Sequence, residues 1–141
     1  MSGYIIFAFY RKYVARVKGI ILADTRAQAD TEEGKDGRFQ MAQTAYKKGS
    51  ASIADIMLPI LLSPATIQAR PEIVQHVRAM IGGNQISGIA GDLMAMAERP
   101  DSIPLLKQIT CPTQIIVGEL DQATPQSDAK LMADLIPNAS D

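Results

Sequence analysis

The chain of 141 residues has little of what marks nucleic-acid binding or membrane insertion. It contains no tryptophan and 5% aromatic residues, so stacking platforms for single-stranded nucleic acid are not expected. The 14 basic and 15 acidic residues leave a net charge of −1, without the basic excess that attracts nucleic acid or an anionic membrane. The apolar stretch from Gly3 to Tyr10 is less than half as long as a bilayer span, so we expect no membrane partner.

Disulfide, metal and cofactor chemistry also lack their usual signals. The single cysteine, Cys111, cannot form an internal disulfide, and it favours a reducing, cytoplasmic compartment. The single histidine, His76, has no closely spaced histidine or cysteine with which to bind a metal ion. The break at Gly82-Gly83-Asn84 is not followed by the Lys-Ser/Thr of a phosphate-binding loop. We therefore expect no cofactor and no metal.

Hydrophobic periodicity predicts an α/β chain in which two short strands stand among many helices. Residues 20–23 and 114–117 are apolar runs of strand character, and the first is expected to be buried on both faces. Helices are predicted at 3–16, 31–48, 51–62, 71–81 and 86–98. A short helix or turn is predicted at 102–107, and a last helix that Thr124 caps and Pro125 begins. The apolar stripe of the first helix, expected to face the core, is formed by Ile5, Ile6, Phe9, Tyr13 and Val14.

The order of these elements divides the chain into three parts. Residues 1–27 and 101–141 carry the predicted core strands, and residues 28–100 form a helical insertion between them. No strand is expected after the last helix, so the sheet would consist of two parallel strands. Because an unpaired strand edge invites pairing with another chain, a homo-oligomer formed through the exposed sheet edge is one expectation.

The segment from Ile109 to Pro125 is the most informative part of the sequence. Its apolar strand ends at Gly118, and a carboxylate follows at Asp121. In open α/β sheets, ligands and catalytic groups gather just past the carboxyl ends of the strands. Asp121 is therefore the candidate catalytic acid. Asp24 follows the earlier strand, where an acid more often marks a turn into the insertion.

Three segments resemble the α/β-hydrolase family, in particular its esterase, lactonase and perhydrolase-like members. They are the first helix and strand from Ser2 to Thr25, the helical insertion, and the strand and loop from Cys111 to Pro125. The resemblance implies a partial α/β-hydrolase fold with a helical cap at residues 28–100. It also implies a Ser-His-Asp mechanism on carboxylic esters or lactones, with Asp121 as the acid that orients the histidine. Asp24 is the alternative acid, because some members of the family place the acid after the earlier strand.

The resemblance further implies that this chain holds only the acid of the triad. Ser2 matches the last small residue of the family's Gly-x-Ser-x-Gly elbow, which would place the nucleophile before Met1. The family's histidine would lie beyond Asp141. We therefore expect a fragment that is inactive alone and whose parent acts on a small apolar ester, lactone or acid. A non-catalytic protein that oligomerises through the hydrolase remnant is the alternative.

Ser2 and His76 are poor replacements for the two missing groups. Ser2 lacks the glycine two residues later that an elbow requires, and His76 lies in the middle of a predicted helix of the insertion. Met57, Met80 and Met94 of the insertion are candidate contacts for an apolar substrate, because methionine adapts to irregular pockets. Ordinary helix packing explains these methionines equally well.

Overall fold

The structure, a computed structural model, describes residues 1–140 and divides them into two compact units. The first unit combines Met1–Ala29 with the described residues from Pro100 onward, and the second is Asp30–Arg99. The bounds of the second unit differ by only one or two residues from those of the insertion predicted at residues 28–100. In chain order, the elements are α1 (Ser2–Tyr13), a 3-10 turn (Val14–Arg16), β1 (Ile20–Ala23), α2 (Glu32–Lys48), α3 (Ser50–Leu61), α4 (Pro64–Ala69), α5 (Pro71–Gly82), α6 (Ile86–Ala97), α7 (Ile103–Leu106), β2 (Thr113–Ile116), α8 (Gln126–Leu135) and β3 (Ala139–Ser140).

The first unit contains a parallel sheet of three strands in the order β1-β2-β3. Ile20 lies opposite Thr113 in the β1–β2 pair, and Thr113 lies opposite Ala139 in the β2–β3 pair. This arrangement confirms the predicted α/β class and the partial α/β-hydrolase fold. The prediction of only two strands is wrong, because β3 follows α8. The two residues of β3 are too few to show any periodicity in the sequence.

The core of the first unit lies on one face of this sheet. Its strand residues alternate between buried and exposed, so that Ile20, Leu22 and Ile115 are buried whereas Ile21 and Ile116 are 63% and 51% exposed. The prediction that β1 is buried on both faces is wrong within this unit. A short apolar run has the same appearance whether one face or both are covered. The helices and loops contribute the rest of the cluster: Phe7, Tyr10, Ala27, Leu105, Leu106, Ile109, Ala129, Met132 and Ile136.

Helix α1 packs with a different face from the one predicted. Gly3, Phe7 and Tyr10 are its buried residues, while Ile5 and Phe9 of the predicted stripe are 62% and 45% exposed. The prediction failed because α1 is apolar on both sides, so periodicity cannot select the face that meets the core. Tyr10 also has a polar anchor there, since its hydroxyl donates to the carbonyl of residue 108 at 3.2 Å and accepts from the amide of residue 110 at 3.3 Å.

The second unit is entirely helical among its described residues. Helix α2 packs against α6 and α3, and α5 packs against α3 and α4. Ala42, Ala90 and Leu93 form a small buried cluster between α2 and α6. The short helix α4 lies where the sequence predicted only a break. Ser63 accepts a hydrogen bond from the amide of Thr66 at 3.1 Å and so acts as its N-cap, and a proline follows at the first position.

A buried carboxylate ties the two ends of the second unit together. Asp30, whose side chain is 6% exposed, accepts from Arg38 Nε at 2.5 Å and from Arg99 Nη2 at 2.8 Å. Burial alone would raise the pKa of Asp30, but the hydrogen bonds and charges of Arg99 and Arg38 outweigh it and lower this pKa to about 2. Across residues 1–140, no helix has both the length and the apolar character needed to cross a bilayer.

Candidate functional site

Asp121 lies on the loop that follows β2, at the carboxyl end of the parallel sheet. This is the placement that the sequence pattern indicated. The amide of Asp121 donates to the carbonyl of Gly118 at 3.1 Å, which closes a tight turn at the start of the loop. The residues from Gly118 to Thr124 are called the acid loop below. Asp121 is half-buried in this loop, and the hydrogen bonds to its carboxylate orient the group and affect its pKa.

Three hydrogen bonds from within the acid loop hold the Asp121 carboxylate. Oδ1 accepts from the amides of Ala123 and Thr124, both at 2.8 Å, and Oδ2 accepts from Thr124 Oγ1 at 2.9 Å. The prediction that Thr124 caps the last helix is therefore wrong. Helix α8 begins at Gln126 after Pro125, without a side-chain cap. Pro125 rather than Thr124 is in the N-cap position of α8, and the Thr124 hydroxyl instead makes a charge-assisted hydrogen bond to the Asp121 carboxylate.

The Asp121 carboxylate is ionised near neutral pH, and its contacts favour that form. Burial by itself would raise the pKa of Asp121, but hydrogen bonds from Thr124 and Ala123 and the charge of Arg26 outweigh it and lower this pKa. An ionised carboxylate in a fixed orientation is suited to accept an imidazole N–H and to stabilise the cation that forms when the imidazole takes a proton. It is unsuited to donate a proton itself.

Asp24, the alternative acid, lies at the same end of the sheet but has a different set of contacts. It follows β1 directly, and its amide continues the ladder by donating to the carbonyl of Ile116 at 3.0 Å. Its backbone then turns with φ of 44°, a left-handed conformation that aspartate tolerates better than most residues. Its Oδ1 accepts from the amide of Gly118 at 3.0 Å. The two candidate acids are therefore joined through the first residue of the acid loop.

Arg26 contacts the other end of the acid loop. Its Nη2 donates to the carbonyl of Ala123 at 2.7 Å and lies 2.9 Å from Asp128 Oδ2 in the first turn of α8. Asp128 Oδ1 also accepts from Gln28 Nε2 at 3.0 Å. The sequence analysis did not single out Arg26. No local signal marks it, because its partners lie about a hundred residues away in the chain.

The N-terminus of α1 packs against the same loop that carries Asp24 and Arg26. A Cβ atom added to Gly3 would lie 2.3 Å from Thr25 Oγ1, so a larger residue does not fit there. Thr25 is 4% exposed, and its hydroxyl has no hydrogen-bond partner. The first residues of α1 are thus neighbours of residues 24–28 after β1, called the β1 loop below, in which Asp24 and Arg26 contact the acid loop.

The other predicted site residues are distributed along both units. Ser2 is exposed at the first residue of α1, and His76 is exposed on α5. In the second unit, Met57 is half-buried on α3, Met80 is 61% exposed on α5, and Met94 packs against the cluster between α2 and α6. Their roles in substrate binding stay predictions. Within residues 1–140, no three His, Cys, Asp or Glu side chains converge as metal ligands do.

Comparison with known proteins connects this geometry to a family. No family model matches the chain. The curated 3-oxoadipate enol-lactonase 2 of Acinetobacter baylyi is 26% identical over 125 residues, which are 89% of this chain and 45% of that protein. A thermophilic esterase from Thermogutta terrifontis, solved with malate bound, is 40% identical with a TM-score of 0.92, over 98% of this chain and 51% of the esterase.

An enol-lactonase from Burkholderia xenovorans LB400 has the same fold, with a TM-score of 0.83 at 22% identity, over 94% of this chain and 50% of that one. The chain therefore spans about half the length of the relatives it matches. Over that span it is 40% identical to the esterase and has the fold of the lactonase. The chain has a partial α/β-hydrolase fold and is similar to an esterase and to enol-lactonases.

Proposed function

We propose that this chain supplies the acid loop and the helical cap of an enzyme that hydrolyses carboxylic esters or lactones by a Ser-His-Asp mechanism. Asp121 is the triad acid in this proposal. The observation that carries it is the ionised, half-buried Asp121 carboxylate, held by three hydrogen bonds just past a parallel strand. The similarity to an esterase and to enol-lactonases supports the reaction class.

The free hydrogen-bonding capacity of Asp121 supports this role. A carboxylate oxygen accepts about two hydrogen bonds. Oδ1 already accepts two from backbone amides, whereas Oδ2 accepts one from the Thr124 hydroxyl. Oδ2 is therefore the atom that would accept the imidazole N–H. The histidine would take the proton of the serine as it attacks the acyl carbon, and would give that proton to the leaving oxygen.

The position of α1 also agrees with this proposal. The family resemblance puts the nucleophile just before this helix, and Gly3 packs against Thr25 in the loop between Asp24 and Arg26. Serine and histidine would come from outside the residues of this chain, so we expect no triad turnover from the chain alone. Further parts of the proposal are apolar substrate contacts from Met57, Met80 and Met94, and a small ester, lactone or acid as the substrate. We also propose that the enzyme is cytoplasmic and needs no cofactor.

A chimera tests the role of Asp121. The chimera joins this chain to the part of the Thermogutta terrifontis esterase that it does not match, with the nucleophile elbow placed before Met1. Its hydrolysis of p-nitrophenyl butyrate and of γ-butyrolactone would be measured. Asp121→Asn should lower kcat about a thousandfold or more, because the histidine loses its orienting carboxylate. Asp24→Asn should keep most of the activity. Glu119→Gln, an exposed acid on the same loop, is the matched control.

Two outcomes separate the parts of this proposal. A folded chimera that hydrolyses neither substrate argues against the reaction class. A chimera that is active but insensitive to Asp121→Asn means that the acid lies elsewhere. If Asp24→Asn instead abolishes turnover, the alternative acid is the correct one.

A second candidate function, self-association, is favoured by the edge of the sheet. The amides of Ile20 and Asp24 donate towards β2, to the carbonyls of residues 112 and 116, both at 3.0 Å. Because these groups alternate along a strand, the backbone groups of Ile21 and Ala23 point to the opposite edge, where the described residues place no strand. Exposed Ile21 and Phe9 line the adjacent groove. We propose that this edge pairs with a second copy when no other chain covers it.

Size-exclusion chromatography with light scattering tests self-association. The wild-type chain should elute as a dimer, and Ile21→Lys should make it monomeric, because a charged side chain on an edge strand blocks pairing. Ile116→Lys is the control, since Ile116 is also exposed but lies on the central strand. A monomeric wild-type chain, or equal effects of the two lysines, would rule out pairing through this edge.

A further inference from the structure

We propose that Asp24 and Arg26 are positioning residues that fix the acid loop at its two ends, so that the loop after β1 sets the orientation of Asp121. This inference rests on the proposed role of Asp121 as the triad acid. It also gives Asp24 a role different from that of an alternative catalytic acid.

Asp24 fixes the start of the acid loop with three features of one residue. Its amide bonds to the last residue of β2, its left-handed backbone turns the chain, and its carboxylate then accepts from the amide of Gly118. Gly118 in turn accepts from the amide of Asp121. Gly118 alone therefore connects the side chain of Asp24 to the turn that carries Asp121. An asparagine could make the same bond through its amide oxygen, whereas an alanine could not.

Arg26 fixes the end of the acid loop through a single peptide group. The carbonyl of Ala123 accepts from Arg26 Nη2 at 2.7 Å, and the N–H of the same peptide unit, which belongs to Thr124, donates to Asp121 Oδ1 at 2.8 Å. The guanidinium and the carboxylate therefore bind opposite ends of one peptide dipole. Such an arrangement polarises the peptide, and each hydrogen bond strengthens the other. Arg26 acts on Asp121 through this peptide as well as by its charge.

An ion pair with Asp128 also holds the guanidinium of Arg26. Asp128 pairs with Arg26 at 2.9 Å and accepts from Gln28 at 3.0 Å, and its side chain is 13% exposed. Because Asp128 lies in the first turn of α8, this pair joins the β1 loop to the helix that follows the acid loop. A lysine at position 26 could keep the charge but would lack the planar guanidinium whose Nη2 contacts both Ala123 and Asp128.

Carbon-13 NMR titration of the aspartate carboxyls in the full chain tests the role of Arg26 without any turnover. Arg26→Gln should move the pKa of Asp121 upwards, towards its ordinary value, because it removes both the charge and the polarised peptide. Arg26→Lys should produce a smaller shift in the same direction. Arg78→Gln is the control, because Arg78 is half-exposed and pairs with Asp55 in the second unit. It should leave the Asp121 titration unchanged.

Hydrogen exchange of backbone amides tests the two ends of the loop separately. Asp24→Ala should cause loss of protection at the amide of Gly118, and Asp24→Asn should restore it. Arg26→Gln should cause loss of protection at the amide of Thr124. If Asp24→Ala or Arg26→Gln fails to fold, the conservative variants Asp24→Asn and Arg26→Lys still decide the result. Asp24→Asn keeps the hydrogen-bond acceptor without the charge, and Arg26→Lys keeps the charge without the planar guanidinium.

The positioning role and the triad role fail in different ways. If Arg26→Gln folds and the Asp121 titration does not change, the positioning role is refuted, whatever the chimera does. If the titration shifts as expected but the active chimera tolerates Asp121→Asn, Arg26 and Asp24 still position the loop, and the triad role is wrong. If both hold, Arg26→Gln in the chimera should lower kcat more than it raises KM and should shift the acidic limb of the pH profile.

Discussion

Replacement of Asp30 by asparagine gives the sharpest prediction for the stability of the helical unit. The pKa of Asp30 falls from 3.8 to about 2 in the folded chain, because Arg99 and Arg38 outweigh its burial. At about 1.4 kcal/mol for each pKa unit, this shift corresponds to about 2 kcal/mol of stability at pH 7. Since the Asp30 side chain is 6% exposed, solvent screening removes little of this contribution. We expect Asp30→Asn to lower the free energy of unfolding by at least about 2 kcal/mol at pH 7.

The same shift predicts how this difference depends on pH. A carboxyl whose pKa is lowered on folding stabilises the fold above its unfolded pKa, and that stabilisation is lost as the pH falls through the folded pKa. For Asp30 the loss therefore runs from about pH 4 to about pH 2. The gap between wild type and Asp30→Asn should shrink by about half at pH 3. Urea unfolding followed by far-UV circular dichroism measures it, because the chain has no tryptophan to report by fluorescence.

A matched control separates this pair from general charge effects. Asp36, on the exposed side of α2, carries the same charge without a buried partner, and Asp36→Asn should change stability by less than about 0.5 kcal/mol. If the two asparagine variants unfold alike at pH 7, or if the Asp30→Asn deficit is constant down to pH 2, the buried ion pairs do not contribute as described.

Two further substitutions test the packing and the hydrogen bonds around the acid loop. Gly3→Ala would put a methyl group 2.3 Å from Thr25 Oγ1, so we expect a loss of about 1–3 kcal/mol in thermal unfolding, and Gly88→Ala, with open space around it, is the control. Thr124→Val removes the hydroxyl that donates to Asp121 Oδ2, so the pKa of Asp121 should rise in a carboxyl titration, and an unchanged value would contradict the bonding described here.

The sequence was sufficient for features that depend on neighbouring residues. The strand before Gly118 and the carboxylate after it follow from a local pattern, and the structure places Asp121 where that pattern indicated. The bond between Asp24 and the amide of Gly118 joins residues 94 positions apart, and the Arg26–Ala123 bond joins residues 97 apart. No periodicity records such contacts, so the role of Arg26 could be found only from the fold.

The face of α1 and the cap of α8 could not be predicted for a different reason. In each case the sequence allowed two chemically reasonable arrangements, either of two faces for α1 and either of two contacts for the Thr124 side chain. Phe7 and Phe9 are equally apolar, and Phe7 shares the buried face with Gly3, which packs against Thr25 from a distant part of the sequence. Thr124 is a good N-cap residue, but α8 begins one residue too late for it, after Pro125, and its hydroxyl donates to Asp121.

The difference between the two acids at the end of the sheet follows from how each is bonded. Both come just after neighbouring parallel strands, so position alone does not distinguish them. Asp24 turns with a left-handed backbone and directs its carboxylate at a backbone amide of the next loop, where it stabilises structure. Asp121 takes its three hydrogen bonds from its own loop, which leaves room on Oδ2 for one more donor. The triad role proposed for Asp121 requires that remaining site for an imidazole N–H, and in the positioning role proposed above, Asp24 and Arg26 hold the loop that orients it.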